Sequence, residues 1–401
     1  MLVAYDKLAR NDAATVVAAR SALASRFEVV AERREDDIAR RLAGARQSAG
    51  TAFQNEGWLR TWYATIGRTV GAPLLITALD RRSGELAAML PLVLRTDSRV
   101  RIVEFADEGI SDSNAPMLGP AAPQDAADAH AMWEAMRAAL SGADLVRFTK
   151  MPREIEDRVN PLTLLPAARR SSLSGNLVAI EGSWDDYLAT LKGLLRKQLR
   201  KSWRLFAQHE GAIFRRIDDP DEAVRVLATL ERQQGARLRA HGQPYRLDEP
   251  VFSAFYRAVT AEGVADGSVI LTALMHHDQV VAALLGLARG DTYVMVRISA
   301  DASQWASCSP GRLVIAKTMQ SLHAEGYRLF DFSVGDYPYK RRLGARGEPL
   351  FDLTAALTPR GLPLLAYDRA RQVVRRYPAI RTLARKIVQP RRAAVAGDDR
   401  D

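Results

Sequence analysis

Between Asp331 and Lys340 the chain gathers two carboxylates, two phenols and an ammonium group: Asp331, Asp336, Tyr337, Tyr339 and Lys340. Such a set can move protons, because a carboxylate takes one from an incoming nucleophile while a phenol or ammonium returns one to a leaving group or stabilises developing negative charge. Asp336 is the first expectation for the base or for an acceptor-orienting group. Asp331 is the second, since a strand position also suits a structural hydrogen bond. Tyr339 is expected to donate a proton or position the transferred group, and Lys340 to stabilise negative charge or hold a phosphate. The structural reading of the same residues pairs Lys340 with Asp336 and packs Tyr339.

The elements that must position this turn lie just upstream. Ser309, Pro310 and Gly311 suit a helix start, and Leu313, Val314, Ala316, Met319, Leu322 and Ala324 follow at helical spacing. Gly326 ends that helix, and Tyr327 to Phe332 reads as a strand delivering the polar turn. Amides at a helix start lack intrahelical acceptors and, with the helix dipole, favour an anion such as a cofactor pyrophosphate.

The order of SPG before a helix and DFxxGDxxYK after the next strand resembles the GNAT-like acyltransferases grouped with CelD-type cellulose-biosynthesis proteins and, more distantly, the Fem-type aminoacyl transferases. The resemblance spans most of residues 51–355. It implies an α/β (α+β) chain of tandem GNAT-like domains, each a mixed, largely antiparallel sheet flanked by helices. It further implies acetyl-CoA or another acyl-CoA as cofactor, its acyl arm lying between splayed strands at Asp291 to Ser299 and Arg328 to Ser333. Backbone groups near Val296 and Ile298 would then face the thioester, and the pyrophosphate would meet Ser309, Gly311, Arg312 and Leu313. The chain departs from the ordinary phosphate loop, which is richer in Gly and starts with Gln or Arg. The implied reaction is acyl transfer to an amine or hydroxyl of a sugar, amino sugar or envelope precursor, including lipid- or nucleotide-linked saccharides. The alternatives are a Fem-like transferase using aminoacyl-tRNA and a catalytically silent binding module of a polysaccharide synthesis system.

An internal echo supports duplication independently. Ile76-Thr77-Ala78-Leu79 returns as Leu271-Thr272-Ala273-Leu274, and Leu86 to Leu92 returns as Val281 to Leu287 in the same register. Each copy reads as a hairpin of buried strands, preceded by a helix around Trp58 to Ile66 or Phe252 to Glu262. With 401 residues and 47% hydrophobic content, two cores are expected. The expected layout is an N-terminal extension over 1–50, a non-catalytic domain over 51–170, a catalytic domain over 171–358 and a basic helical tail over 359–401. Ser171 to Gly175 reads as the linker between halves.

The net charge of +10 is concentrated in two places. Residues 359–401 carry eleven Lys or Arg against four Asp, and Lys192 to Arg204 carries six bases and no acid, so the remainder is slightly acidic. General nucleic-acid binding is therefore not needed to explain the charge. Lys192, Arg196, Arg200 and Arg204 recur every four residues beside Leu191, Leu195, Leu199 and Trp203, the pattern of an amphipathic helix. Arg196, Arg200 and Arg204 are expected to hold substrate phosphates. The tail, with Val373, Tyr377, Ile380, Ala384 and Ile387 among Arg residues, suits either an anionic membrane surface or packing onto the protein. The absence of a bilayer-length apolar run and the charged N-terminus point to a cytoplasmic chain with peripheral membrane contact through that tail. Cys308, the lone cysteine, reads as a small residue near a helix start, and His276 and His277 as an exposed turn. Asp107, Glu108 and Asp112 form an acidic loop without metal-ligand spacing, read as solvated; no metal is expected.

Overall fold

A computed structural model describes residues 26–301 and 303–376. The first half runs β1 (Phe27–Glu32), α1 (Glu35–Gly44), α2 (Glu56–Ala64), α3 (Gly67–Val70), β2 (Ala72–Asp80), β3 (Leu86–Asp97), β4 (Val100–Phe105), β5 (Met117–Leu118), α4 (Ala126–Ala139), β6 (Leu145–Pro152) and the ribbon β7 (Glu154–Ile155) with β8 (Arg158–Val159). The chain continues through β9 (Ala168–Ala179), α5 (Trp184–Thr190), α6 (Gly193–Ala207), β10 (Ala212–Ile217), α7 (Pro220–Ala240), α8 (Pro250–Asp266), β11 (Val269–His276), β12 (Gln279–Arg289), β13 (Thr292–Ala300), α9 (Pro310–Ala324), β14 (Leu329–Asp331), α10 (Pro338–Arg342), β15 (Arg346–Ala356) and α11 (Leu362–Arg376).

The sequence echo is a structural repeat. In the β2–β3 hairpin Thr77 faces Met89 and Ala78 faces Ala88; in the β11–β12 hairpin Thr272 faces Leu284 and Ala273 faces Ala283. These are the equivalent pairs, so the two hairpins share one register. Each half then adds an antiparallel strand, a helix and a parallel strand, with β4 beside β6 and β13 beside β14, each joined by three residue pairs. Three helices, α1 to α3, precede the first hairpin and two, α7 and α8, follow β10 before the second; the expected helix near Trp58 to Ile66 is α2, with the short α3 after it. The result is the expected mixed, mostly antiparallel sheet flanked by helices, present twice.

The halves are not beads joined by a linker. Their strands form one sheet in the order β1-β2-β3-β4-β6-β15-β9-β14-β13-β12-β11-β10, with β5 beside β3. β9, which leaves the first half, pairs with β14 of the second; β15, which ends the second half, pairs with β6 of the first. The two exchanged strands pair with each other at the centre. Ser171 to Gly175, read from its Ser content as a linker, therefore lies inside β9: its polar side chains sit on a partly exposed strand whose backbone groups are bonded to β15. Local composition could not reveal a ladder closed by residues far along the chain.

Helices of both halves also share a core. Trp58 of α2 meets Phe255 and Tyr256 of α8 edge-on at 4.8 and 6.1 Å, within a buried cluster that includes Leu75 and Met89 from one hairpin and Leu271 and Leu285 from the other. α4 covers the opposite face of the first half, and α5, α6 and α9 that of the second. Among the described residues, no helix is long and apolar enough to cross a membrane.

Gly286 of β12 tests the tightness of this core. A Cβ there would lie 2.3 Å from the Tyr293 ring and 2.4 Å from the Val294 carbonyl oxygen. Gly286→Ala is expected to destabilise the protein by about 1–3 kcal/mol through overpacking, read as a lower denaturant midpoint at unchanged slope.

Candidate active site

The three-pair ladder between β13 and β14 ends at Val294 and Asp331, and the strands then part. On its other edge β13 skips a register position: Gly286 faces Met295 and Leu285 faces Arg297, leaving Val296 as a bulge beside the opening. Ser333, in a left-handed conformation at φ 62°, stands at the mouth of this fork. Its hydroxyl donates to the Met295 carbonyl at 2.7 Å, and its amide donates to Asp331 Oδ1 at 2.7 Å. Asn176 of β9 holds the same turn, donating to the Ser333 and Gly335 carbonyls at 2.8 and 3.1 Å. Lys340 is buried beneath it, 2% exposed, and donates from Nζ to the Ser333 and Val334 carbonyls at 3.1 and 2.7 Å.

Asp331 opens onto a cleft of about 720 Å³ between the halves, shared with Thr51 and Asp112 of the first half and Asn176, Val294 and Ser333 of the second. Burial pushes the Asp331 carboxyl up to about 6, assisted by the charge of Asp112 and opposed by the Ser333 amide and Lys340. Asp112 is likewise raised by burial, against the pull of Lys150, Ser333 and Lys340. Burial lowers the Lys340 ammonium, and Asp112, Asp331 and Asp336 work against that shift. Two elevated carboxylates from different halves thus face one cleft, an arrangement suited to taking up a proton near neutral pH. Glu154, Glu156, Asp291 and Glu348 add to the acidic lining, against Arg153 and Arg289, and Arg289 is already paired with Glu156 at 2.9 Å.

The remaining expected site residues fall in several places. Asp336, the first expectation for the base, is a surface residue, its side chain 78% exposed and ion-paired with Arg341, and it is not among the residues that line the cleft. Lys340 does not pair with Asp336 but anchors the turn, because its buried Nζ meets carbonyls rather than a carboxylate. Tyr339 packs beside Phe332 and stacks on Tyr337; burial holds its phenol up to about 12, with Arg237 of α7 acting the other way. The α9 start and the polar turn both lie at the C-terminal ends of β13 and β14, the open side of the fork, with Gly311 against Ala300 of β13.

The amide cradle is smaller than expected. The Arg312 and Leu313 amides both donate back to the Ser309 carbonyl at 3.0 Å, which leaves the Gly311 amide. The Arg312 guanidinium is engaged with Gln198 of α6 and Ser309 Oγ at 3.2 and 3.0 Å. Ile298, on β13 past the bulge, gives its carbonyl to Gln234 of α7 at 3.3 Å. On α6, Leu195 and Leu199 are buried while Arg200 and Arg204 are exposed and Arg196 is half-buried; none of the helix's cations meets a carboxylate among the described residues. Cys308 is buried at 1% exposure, consistent with a packing role. The acidic loop is used internally: Asp107 meets Lys150 at 2.6 Å and Asn114 at 3.0 Å, and Glu108 meets Arg95 and Arg246 at 3.2 and 3.0 Å. Of that loop, Asp112 alone among the three acids turns to the cleft. Most of the expected membrane segment, from Tyr377 onward, lies outside the described residues.

The first half has a fork of the same construction but different content. Where Asp331 faces Val294, the equivalent Arg147 faces Glu104. Arg147 is ion-paired to Glu104 at 2.9 Å and to Asp368 of α11 at 2.7 Å.

Residues 194–341 match the family described as Acetyltransferase (GNAT) domain. Among solved structures, the crystal structure of FemX is similar at a TM-score of 0.56 and 13% identity, over 81% of this chain and 96% of that one. L-PGS from Bacillus licheniformis gives a TM-score of 0.49 at 12% identity, over 89% and 98% of the respective chains. A tandem GNAT protein from the clavulanic acid biosynthesis pathway gives 0.45 at 13%, over 83% and 99%. At 13% identity the likeness to FemX speaks to fold alone. No curated protein sequence matches this one. The fold repeats a GNAT-like unit, and residues 194–341 are similar to GNAT acetyltransferase domains.

Lys340→Met would leave the Val334 carbonyl without its donor and the Ser333 carbonyl with Asn176 alone. The expected cost is about 1–3 kcal/mol, read by equilibrium denaturation.

Proposed function

We propose that the chain transfers an acyl group from acetyl-CoA or another acyl-CoA to the amine of an amino sugar or related envelope or polysaccharide precursor, as the CelD-type resemblance implies. The observation that carries this reading is the junction of the open β13–β14 fork with the Asp112–Asp331 cleft at Ser333. A donor in the fork and an acceptor in the cleft would meet there. The donor's fit is supported by the separation of the strands past Val294, by the Gly311 amide, and by space beside Gly311, where a Cβ would meet only Ala300 at 3.5 Å. Arg196, Arg200 and Arg204 of α6 supply cations for phosphate groups on the α9 side. The acidic lining favours a protonated amine over a neutral hydroxyl as the acceptor.

When bound, the thioester supplies an activated carbonyl and a thiolate leaving group. Asp331 would accept the proton that frees the acceptor amine for attack on the thioester, so that a C–N bond forms as the C–S bond breaks. Tyr339, protonated throughout the physiological range, would donate to the departing sulfur and take back the second proton that nitrogen loses as the amide forms. Lys340 and Asn176 are positioning residues that fix the turn, and Asp336 lies outside the proton path. The first half, with Arg147 ion-paired in its fork, serves as the acceptor wall rather than a second catalytic centre. A second reading, aminoacyl-tRNA as donor with α6 against RNA phosphates, is favoured by the cations of that helix having no carboxylate partner among the described residues. Steep loss of binding with salt marks that alternative.

Acetyl-CoA is expected to raise the melting temperature, with calorimetry giving a single site. Absence of any shift with acyl-CoAs, together with salt-sensitive tRNA binding, would replace the first reading by the second. Asp331→Asn is expected to lower kcat by about 10²-fold or more while leaving acetyl-CoA affinity intact, and Asp336→Asn to change kcat little.

The pH dependence follows from the raised Asp331 carboxyl. It must be ionised to act as a base, so kcat/KM is expected to rise as pH increases through about 6 and to lose that limb in Asp331→Asn. Because its folded value lies above its unfolded one, the same group costs stability as pH rises from the ordinary carboxylate range through about 6. A wild-type profile flat across that range would remove Asp331 from the proton path.

A further inference from the structure

Beyond the bulge, β13 carries a second polar cluster that the transfer chemistry above does not use. Arg297 projects toward α7 and α8, where its guanidinium lies 4.6 Å from the centre of the Tyr256 ring and 5.7 Å from that of Tyr245. One terminal nitrogen donates to Gln234 Oε1 and, at 3.2 Å, to the Tyr245 hydroxyl. Among the described residues no carboxylate stands within ion-pair distance of it, and its Nε is buried without a hydrogen-bond partner. Nearby, Glu231 of α7 accepts from Ser253 at 3.0 Å through one oxygen, while the other oxygen is buried without a partner. Burial raises the Glu231 carboxyl, and Arg297 and Arg257 pull against that shift.

A part-buried guanidinium facing aromatic rings and an amide oxygen is stabilised by cation–π contact, yet it has no carboxylate partner among the described residues. Buried polar atoms are almost always hydrogen-bonded, so one open donor and one open acceptor in the same recess call for a ligand that offers both complements. The cluster follows the cleft along β13: Val294, which lines the cleft, stands three residues before Arg297, and Tyr256, 3% exposed, is influenced by Arg297 and also by Asp112 and Asp107. Of the other cations near the cleft, Lys150 is committed to Asp107 and Arg289 to Glu156, while Arg153 lines it from the first half.

We propose that this recess selects amine acceptors that also carry a carboxylate, bound at Arg297, with an adjoining hydroxyl or ammonium of the same molecule donating to Glu231. This deepens the acyl-transfer reading and rests on it. Gln234 and Tyr245 hold the guanidinium fork toward the acceptor, and the planar, two-pronged geometry of Arg suits a carboxylate better than Lys would.

The test uses the full-length protein, acetyl-CoA and three pairs of amines that differ in a carboxylate: glucosaminate against glucosamine, L-lysine against cadaverine, and L-tyrosine against tyramine. Release of free thiol gives kcat and KM for each. In the pair the enzyme uses best, the carboxylate-bearing member is expected to have a kcat/KM higher on the order of tenfold or more, expressed mainly in KM. Arg297→Gln is expected to bring that ratio close to one, and Arg297→Lys to leave an intermediate ratio. Equal kcat/KM within every pair for the wild-type protein overturns the inference while leaving amine acylation standing. No turnover of any amine, with no thermal shift by acetyl-CoA, overturns the acyl-transfer reading beneath it. If Arg297→Gln does not fold, the wild-type ratios and the Arg297→Lys variant decide.

Discussion

The pairing of β9 with β15 is the contact on which the rest of the molecule depends. Each of these strands is delivered by one half and completes the sheet of the other, and their mutual ladder closes the seam. Because β9 is fixed beside β14, Asn176 reaches the carbonyls of the turn after β14 and helps hold Ser333 in its left-handed conformation. The same closure brings the loop carrying Asp112 against Asp331, and neither carboxyl would be raised as it is if the halves were free to separate. The geometry of the candidate site in the second half is thus set partly by the last strand of the first.

The repeat gives two forks of one construction with different contents. Both are built from a strand, a helix and a parallel strand joined by only three pairs, so both have strands that diverge. In the first, Arg147 is held by Glu104 and Asp368; in the second, the equivalent position is an acid facing a cleft. Equivalent backbone geometry with opposite side-chain charge separates a braced fork from an open one.

Much of this was legible in the chain. The hairpin echo read correctly down to register, because alternating buried strands repeat with the same spacing between Thr77 and Met89 as between Thr272 and Leu284. The helix from Pro310 and the strand before the polar turn were visible from apolar spacing and glycine punctuation. Which acid of the turn faces the cleft was not. Asp336 sits in the most conspicuous loop position but points to solvent, whereas Asp331 gains its elevated carboxyl from neighbours distant in sequence. Asp112 and Asn176 were hidden for the same reason: a solvated-looking loop and a Ser-rich stretch become site walls only once the exchanged strands close. Arg297 carried no local signal, since an isolated arginine on a strand says nothing about which helices cover it.

The crossing-over of β9 and β15 also constrains how the protein comes into being. β6 waits for a neighbour encoded about two hundred residues later, so the N-terminal sheet has an unfilled place until nearly the whole described chain has left the ribosome. Long-range ladders of this kind close slowly, and an open strand edge during that interval invites pairing with another nascent copy. The chain therefore matures as a single cooperative body, and a fragment ending before Arg346 would leave both sheets unfinished.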